Sequence, residues 1–143
     1  KGLDGATNIF TVDCDIVMPC ALGDAVDEHT ASQIKAKLVV EGANGPLTPK
    51  ADEVLFDRGI IVVPDVYANA GGVTCSYLEQ CQNFAHLSWD EDEVNEKVIS
   101  LMQGAFSRLH SFSVEQKLPY RLAASVLGIK TIADSHRMRG LHP

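Results

Sequence analysis

The sequence predicts an α/β fold in which three parallel strands are followed by a set of carboxyl-terminal helices. Apolar runs over residues 12–20, 38–43 and 60–63 indicate the strands, and proline and glycine close the first two. Apolar residues at helical spacing fill the intervening stretches, 27–37 and 49–58. Strands that alternate with helices in this way imply a parallel sheet.

After Gly72 the pattern is helical. The first helix carries Val73, Tyr77, Cys81, Phe84 and Leu87 on one face. The S-x-x-E sequence at 88–91 predicts a capping box that begins a second helix. Pro119 opens a third helix and Gly140 ends it, while Arg137 and Arg139 suit its negative end. The apolar residues of this last helix exceed one narrow stripe, so we expect the chain to self-associate.

Composition excludes several classes of protein. The chain of 143 residues can bury a core, and its formal charge of −7 argues against binding to nucleic acid or to an anionic membrane. No apolar run is long enough to cross a bilayer. The four cysteines, at 14, 20, 75 and 81, show no zinc-binding spacing. We therefore predict free thiols, with Cys20 used in packing, and no metal site.

Three strands are too few for a complete doubly wound sheet, and no G-x-G-x-x-G follows a strand. The sequence thus predicts a partial Rossmann-like domain. We interpret residues 1–72 as the second half of a dinucleotide-binding domain. Residues 73–143 would complete that domain and pack toward a domain that the chain lacks.

Ligands of open parallel sheets bind beyond the carboxyl ends of the strands. The loops that follow the three predicted strands, at 19–23, 41–46 and 64–72, combine small residues with carboxamides or free backbone amides. The pair Gly71-Gly72 leaves bare backbone at the start of a helix. Together the loops favour a binding site at this edge of the sheet.

Simpler interpretations exist for single residues. Asn44-Gly45 is typical of a hairpin turn, although the two prolines that follow weaken that interpretation. Asn69 taken alone is most simply a helix N-cap, and capping does not exclude binding. Ser76 is equally well an ordinary first-turn serine.

Four segments carry a family resemblance: CDIVMPCALGD, AKLVVEGANGPLTPKAD, GIIVVPDVYANAGGVTCSYLEQCQN and LGIKTIADSHRMRGLHP. In this order they resemble the carboxyl-terminal part of the glutamate/leucine/phenylalanine/valine dehydrogenases, over residues 13–143. EGANGP followed by SYLEQCQN is more similar to the glutamate enzymes. The resemblance implies oxidative deamination of L-glutamate to 2-oxoglutarate and ammonia with NAD or NADP.

By position in these motifs, the resemblance implies that Ala21, Asn44 and Asn69 bind the cofactor, with Asn69 at the nicotinamide end. It implies that Val73 and Ser76 contact the substrate. Residues three apart on a helix are neighbours, so Val73 can pack on methylene groups while Ser76 donates to a carboxylate. The positive end of the helix also favours that carboxylate.

The family's acid/base lysine, its partner aspartate, its substrate-gripping lysine and its glycine-rich loop precede this segment and are absent. None of the seven lysines, at 1, 35, 37, 50, 97, 117 and 130, lies in a glycine-rich motif. We therefore predict that the isolated chain has no catalytic residue and no activity.

Alternatives remain open. One is another amino-acid dehydrogenase of the family, and another is a non-catalytic nucleotide-binding or interaction module. A reading frame beginning at Lys1 would favour the module, whereas an upstream G-x-G-x-x-G with a glycine-flanked lysine would exclude it. We expect a cytoplasmic homo-oligomer, a hexamer as is common in the family. The sequence leaves an organellar location and the choice between NAD and NADP undecided.

Overall fold

The computed structural model describes residues 8–140 of the chain. Its sheet contains β1 (Ile16–Val17), β2 (Leu38–Val40) and β3 (Ile61–Val63), in that spatial order. Both strand pairs are parallel, with Val17 beside Val39 and Val39 beside Val62. The predicted α/β fold with three parallel strands followed by helices is confirmed.

Six α-helices accompany the sheet in the described residues. They are α1 (Glu28–Gln33), α2 (Pro49–Asp57), α3 (Asp65–Ala68), α4 (Ala70–Ala85), α5 (Glu91–Gln116) and α6 (Tyr120–Arg139). The helices α1 and α2 are the two crossovers, and a single 3-10 turn at Ile9–Thr11 precedes β1. Side-chain caps start both crossovers: Asp27 accepts from the amide of Thr30, and Thr48 from that of Ala51.

The hydrophobic core lies between the sheet and the two crossover helices. Its buried members are Val17, Val26, Ala31, Ile34, Ala36, Val39, Leu47, Ala51 and Leu55. Arg58, just after α2, donates to the carbonyls of Ala31 and Ile34 and so satisfies acceptors near the end of α1. This core fixes the strands from which the three loops start.

All three predicted strands and the first crossover helix are shorter in the structure; the second strand, for example, ends at Val40 rather than at residue 43. Of residues 12–20 only two pair as a strand, because the register with β2 begins at Ile16 and Pro19 has no amide to donate. The first crossover helix stops at Gln33, since Ile34 is extended, with ψ 130°, and is fully buried in the core. Burial of Ile34 therefore overrides the helical pattern over 27–37.

The predicted capping box was misplaced by two residues. The N-cap of α5 is Asp90, which accepts from the amide of Glu93 at 2.9 Å, while the carboxylate of Glu93 accepts from the amide of Asp90 at 3.2 Å. The preceding Trp89 donates its amide to the side chain of Gln82 instead. A carboxylate outcompetes Ser88 because it accepts hydrogen bonds more strongly.

The apolar faces predicted for α4 and α6 are largely uncovered. On α4, Val73, Tyr77 and Phe84 are exposed, Cys81 is half-buried and Leu78 is the buried residue. Leu87, also predicted for this face, is exposed but lies beyond the end of the helix at Ala85. On α6 the exposed set includes Leu122, Ile129 and Ile132, and the buried residue is Ala123. The excess of apolar surface predicted for the last helix is thus present in the folded chain.

Both ends of α6 follow the prediction. Pro119 is its N-cap, Arg137 and Arg139 lie in its last turn, and Gly140 follows with φ 75°. Among residues 8–140, no helix has both the length and the apolar character needed to cross a bilayer.

Candidate functional site

The three segments that leave the carboxyl ends of the strands are joined by backbone hydrogen bonds. Residues 64–72, predicted as the third loop and still called so below, contain the short helix α3 and the start of α4. The carbonyl of Pro19, after β1, accepts from the amides of Gly42 and Ala43 at 3.0 and 2.9 Å. The carbonyl of Val63, at the end of β3, accepts from the amide of Glu41 at 3.1 Å. The sheet therefore brings the loops to one edge, as the sequence predicts.

The first two loops approach closely. A Cβ atom on Gly42 would lie 2.6 Å from the sulfur of Cys20, and one on Gly23 would lie 3.3 Å from the carbonyl oxygen of Asn44. Ala21 lies in the same loop and is exposed. Cys20 is exposed as well, because the short strand ends before it and places it in the loop, and its side chain packs against Gly42 rather than in the core.

Asn44 and Asn69 meet across the second and third loops. The Nδ2 atom of Asn69 donates to Oδ1 of Asn44 at 2.7 Å and to the carbonyl of Gly42 at 3.4 Å. Gly45 turns the second loop with φ 55° and donates its amide to Oδ2 of Asp65 at 2.8 Å. The strands on either side are parallel, so Asn44-Gly45 does not form a hairpin.

The predicted capping role of Asn69 is only half right. It occupies the N-cap position of α4, but its side chain makes no capping hydrogen bond. Its φ and ψ, −103° and 7°, are not the extended values of an N-cap, and its amide group is already bonded to Asn44. The carboxamide of Asn69 thus links the third loop to the second.

The start of α4 is open. A Cβ atom on Gly71 or Gly72 would meet nothing within 4 Å, and neither glycine has a positive φ. Neither the conformation nor the packing of the described residues requires glycine there, whereas close approach of an outside group would. Val73 and Ser76 are exposed on the first turns, one helical step apart.

An ion-pair cluster that the sequence analysis did not find lies beneath these loops. Arg121, in the first turn of α6, donates to Glu41 at 2.8 Å and forms a two-pronged pair with Asp52 at 2.9 and 3.2 Å. Its guanidinium also lies 3.7 Å from Asp65. Glu41 has no exposed surface, and its second oxygen accepts the amide of Asp65 at 2.8 Å.

Two features of the sequence signal this cluster. Glu41 interrupts an apolar strand end, where an ionised carboxylate needs a partner. Arg121 lies at the positive end of a helix, where a cation is unfavourable without one. Burial lowers the pKa of Arg121, but the hydrogen bonds that it donates to Glu41 and Asp52 outweigh burial and hold that pKa above its ordinary value.

A separate cleft of about 460 Å³ lies at the amino end of β3, beside α2 and the turn between α5 and α6. Its lining is mainly apolar and includes Phe56, Ile60, Leu118 and Tyr120. It contains none of the five residues predicted to bind cofactor or substrate. Within residues 8–140, His, Cys, Asp and Glu form no group of three or more that could hold a metal ion.

Comparison with known proteins identifies the relatives of this fold. The family model described as Glutamate/Leucine/Phenylalanine/Valine dehydrogenase matches residues 1–140. An NAD-specific glutamate dehydrogenase of Staphylococcus aureus is 48% identical over 132 residues, which are 92% of this chain and 32% of the relative. An NADP-specific glutamate dehydrogenase of Halobacterium salinarum is 42% identical over 150 aligned positions, covering all of this chain and 36% of the relative.

Solved structures of similar fold come from the same group of amino-acid dehydrogenases. A hetero-hexameric glutamate dehydrogenase from Thermus thermophilus, in a Leu-bound form, superposes with a TM-score of 0.89 at 30% identity, covering 94% of this chain and 32% of that one. An L-tryptophan dehydrogenase from Nostoc punctiforme gives 0.73 at 28% identity, covering 92% and 38%. The chain spans about a third of the length of these relatives.

Proposed function

Because the chain belongs to the glutamate/leucine/phenylalanine/valine dehydrogenase family, we propose that it is the carboxyl-terminal fragment of an NAD(P)-dependent glutamate dehydrogenase. The parent enzyme would oxidise L-glutamate to 2-oxoglutarate and ammonia. The observation that carries the proposal is the contact between Asn44 and Asn69, 2.7 Å long, beside the open backbone at Gly71 and Gly72. This chain supplies one wall of the cleft.

The residues at the cleft fit a dinucleotide. Asn44 and Asn69 present carboxamide groups, which can both donate to and accept from a nicotinamide amide or a ribose. The small, exposed Ala21 leaves room on the first loop. When bound, NAD or NADP supplies the hydride acceptor for oxidation of the amino acid.

Substrate would lie against the first turns of α4. The hydroxyl of Ser76 can donate to the side-chain carboxylate of glutamate, and Val73, 69% exposed, can pack on its methylene groups. No acidic residue occupies the first turn of this 16-residue helix, so its positive end also favours the carboxylate.

We propose that the chain alone is inactive. The three loops contain no lysine, and the six lysines in the described residues lie elsewhere. Lys50, Lys97 and Lys130 are on helices, Lys117 follows α5, and Lys35 and Lys37 lie between α1 and β2. Turnover of glutamate by the purified chain, free of host enzyme, would contradict this.

Two substitutions in the full-length protein test the site assignments. Asn69→Ala should raise the KM for the cofactor, and Ser76→Ala the KM for glutamate, each by roughly tenfold, the effect expected for loss of a hydrogen bond to a bound ligand. Matched controls are Asn95→Ala and Ser107→Ala, both exposed on α5, which should change neither constant. Unchanged cofactor KM in Asn69→Ala would contradict the cofactor site.

A second candidate is an amino-acid dehydrogenase of the same family with another substrate. The structural similarity to the L-tryptophan dehydrogenase keeps this candidate relevant. If Ser76→Ala leaves the preference for glutamate unaltered, this candidate gains over the first. If the full-length protein binds the cofactor but turns over no amino acid, a non-catalytic nucleotide-binding module becomes the better interpretation.

The exposed apolar surfaces support an assembly. We propose that residues 1–72 form half of the dinucleotide-binding domain and that residues 73–143 pack toward the substrate domain of the parent protein. The parent would be a cytoplasmic homo-oligomer, with the hexamer as the expected state.

A further inference from the structure

Arg121 is distant in sequence from every residue assigned to the cleft, yet a chain of hydrogen bonds leads from its guanidinium to the loops. Its Nη2 atom donates to Oε1 of Glu41 at 2.8 Å. The other oxygen, Oε2, accepts the amide of Asp65 at 2.8 Å. Asp65 in turn accepts the amide of Gly45, next to Asn44, at 2.8 Å. The side chain of Arg121 is thereby linked to the second and third loops.

Glu41 is the centre of this chain of contacts. It is fully buried at the end of β2, and each of its carboxylate oxygens has a partner. A buried carboxylate that loses its cation must turn, take up a proton or admit water. Any of these changes alters its contact with the amide of Asp65, where the third loop begins.

Arg121 is itself held in place. Asp52 on α2 binds it through two nitrogens, at 2.9 and 3.2 Å. This two-pronged geometry fixes the plane of the guanidinium, which a lysine cannot reproduce. The position of Glu41 is thus set by a rigid group on α6 that is anchored to α2.

We propose that Arg121 is a positioning residue for the cofactor cleft. By holding Glu41 against the amide of Asp65, it keeps the second and third loops at the spacing where Asn69 reaches Asn44, 2.7 Å apart. It touches neither cofactor nor substrate. This inference rests on the proposed function, because the cleft is a cofactor cleft only under that proposal.

The test compares cofactor affinity in variants of the full-length protein, at a temperature well below the melting point of each. Arg121→Gln should raise the dissociation constant for the reduced cofactor by roughly tenfold or more, since small misplacement of binding groups is costly. Arg121→Lys keeps the positive charge but loses the two-pronged hydrogen bonding of the guanidinium, so the dissociation constant should rise less. The matched control is Arg137→Gln on the same helix, whose pair with Asp134 is exposed, and it should behave as wild type.

A second readout needs no cofactor. Crystal structures of the cofactor-free variants should show the contact between Asn69 and Asn44 lengthened or lost in Arg121→Gln and retained in Arg137→Gln. A folded Arg121→Gln protein with wild-type affinity and an intact contact would overturn the proposal. If Arg121→Gln does not fold, Arg121→Lys and Asp52→Asn decide by the same two measurements, and wild-type behaviour of both would overturn it.

Asn69→Ala, measured in parallel, separates the two proposals. If it weakens cofactor binding while Arg121→Gln does not, only the positioning role fails. If neither variant changes affinity but the contact is lost in Arg121→Gln, the assignment of the cleft to the cofactor fails.

Discussion

The two halves of the described chain bury their apolar residues very differently. Residues 8–69 contain nine buried hydrophobic side chains in a single cluster, whereas residues 70–140 contain only three, Leu78, Leu109 and Ala123. The helical half is nonetheless rich in apolar residues, and nearly half of these are exposed while most of the others are only half-buried. The first half stabilises its own fold and its loops, while the second half carries surface that suits a further partner.

The largest expected effect separates the two halves directly. Leu55→Ala, in the fully buried core, should lower the free energy of unfolding by about 2–5 kcal/mol, because it removes apolar contacts and leaves a cavity. The same change at Leu122, which is 48% exposed, should cost about 0.5 kcal/mol or less. Urea denaturation of the chain measures both, and equal costs would show that the exposed surface of α6 is covered in solution.

The next effect concerns the ion pairs that connect the halves. Breaking a fully buried pair costs about 3–5 kcal/mol, but the side chain of Arg121 is 33% exposed, so we expect about 2–3 kcal/mol for Arg121→Gln. Arg137→Gln, in an exposed pair, should cost under about 1 kcal/mol. The same denaturation series compares them, and a cost for Arg121→Gln no larger than that of its control would mean that water replaces the guanidinium at Glu41.

Self-association of the chain tests the exposed apolar surface of its helical half. Because Phe84 on α4 and Ile129 on α6 are 79% and 68% exposed, the chain should associate at high concentration. Replacing either residue with glutamate should weaken association by roughly tenfold or more, as expected for a central interface residue. Sedimentation equilibrium measures the association constant, with Glu96→Gln on α5 as a control. A chain without substitutions that stays monomeric at high concentration would contradict the prediction.

The smallest effect lies in the first half and depends on pH. The amide of Thr30, followed by its hydroxyl, lowers the pKa of Asp27, the N-cap of α1. A lowered folded-state pKa means that Asp27 stabilises the fold above its unfolded pKa, near 4, and that this contribution is lost as the pH falls through the folded value. Asp27→Asn retains a capping group and should flatten the loss of stability below about pH 4. Thermal unfolding between pH 2 and 6 detects the difference. If the melting temperature falls equally steeply with pH in both proteins, Asp27 does not contribute to the acid loss of stability.

Several features were predictable because their signals are local. The order of strands and helices follows from apolar spacing, and the proline and glycine at the ends of α6 act through their own backbone. The loops that carry Asn44 and Asn69 were also predictable at one edge of the sheet, since parallel strands bring their carboxyl ends together. The direct contact between the two side chains was not predicted. The binding roles of Ala21, Asn44, Asn69, Val73 and Ser76 all remain predictions.

The sequence alone determined the fold class, the order of the elements and the family, because these depend on patterns that neighbouring residues carry. Only the tertiary structure decided where the strands stop, which way the carboxamide of Asn69 turns and which helix faces stay uncovered. It alone paired Arg121 with Glu41, 80 residues apart. That pairing depends on the packing of α6 beside β3, and no local pattern specifies how two distant elements pack.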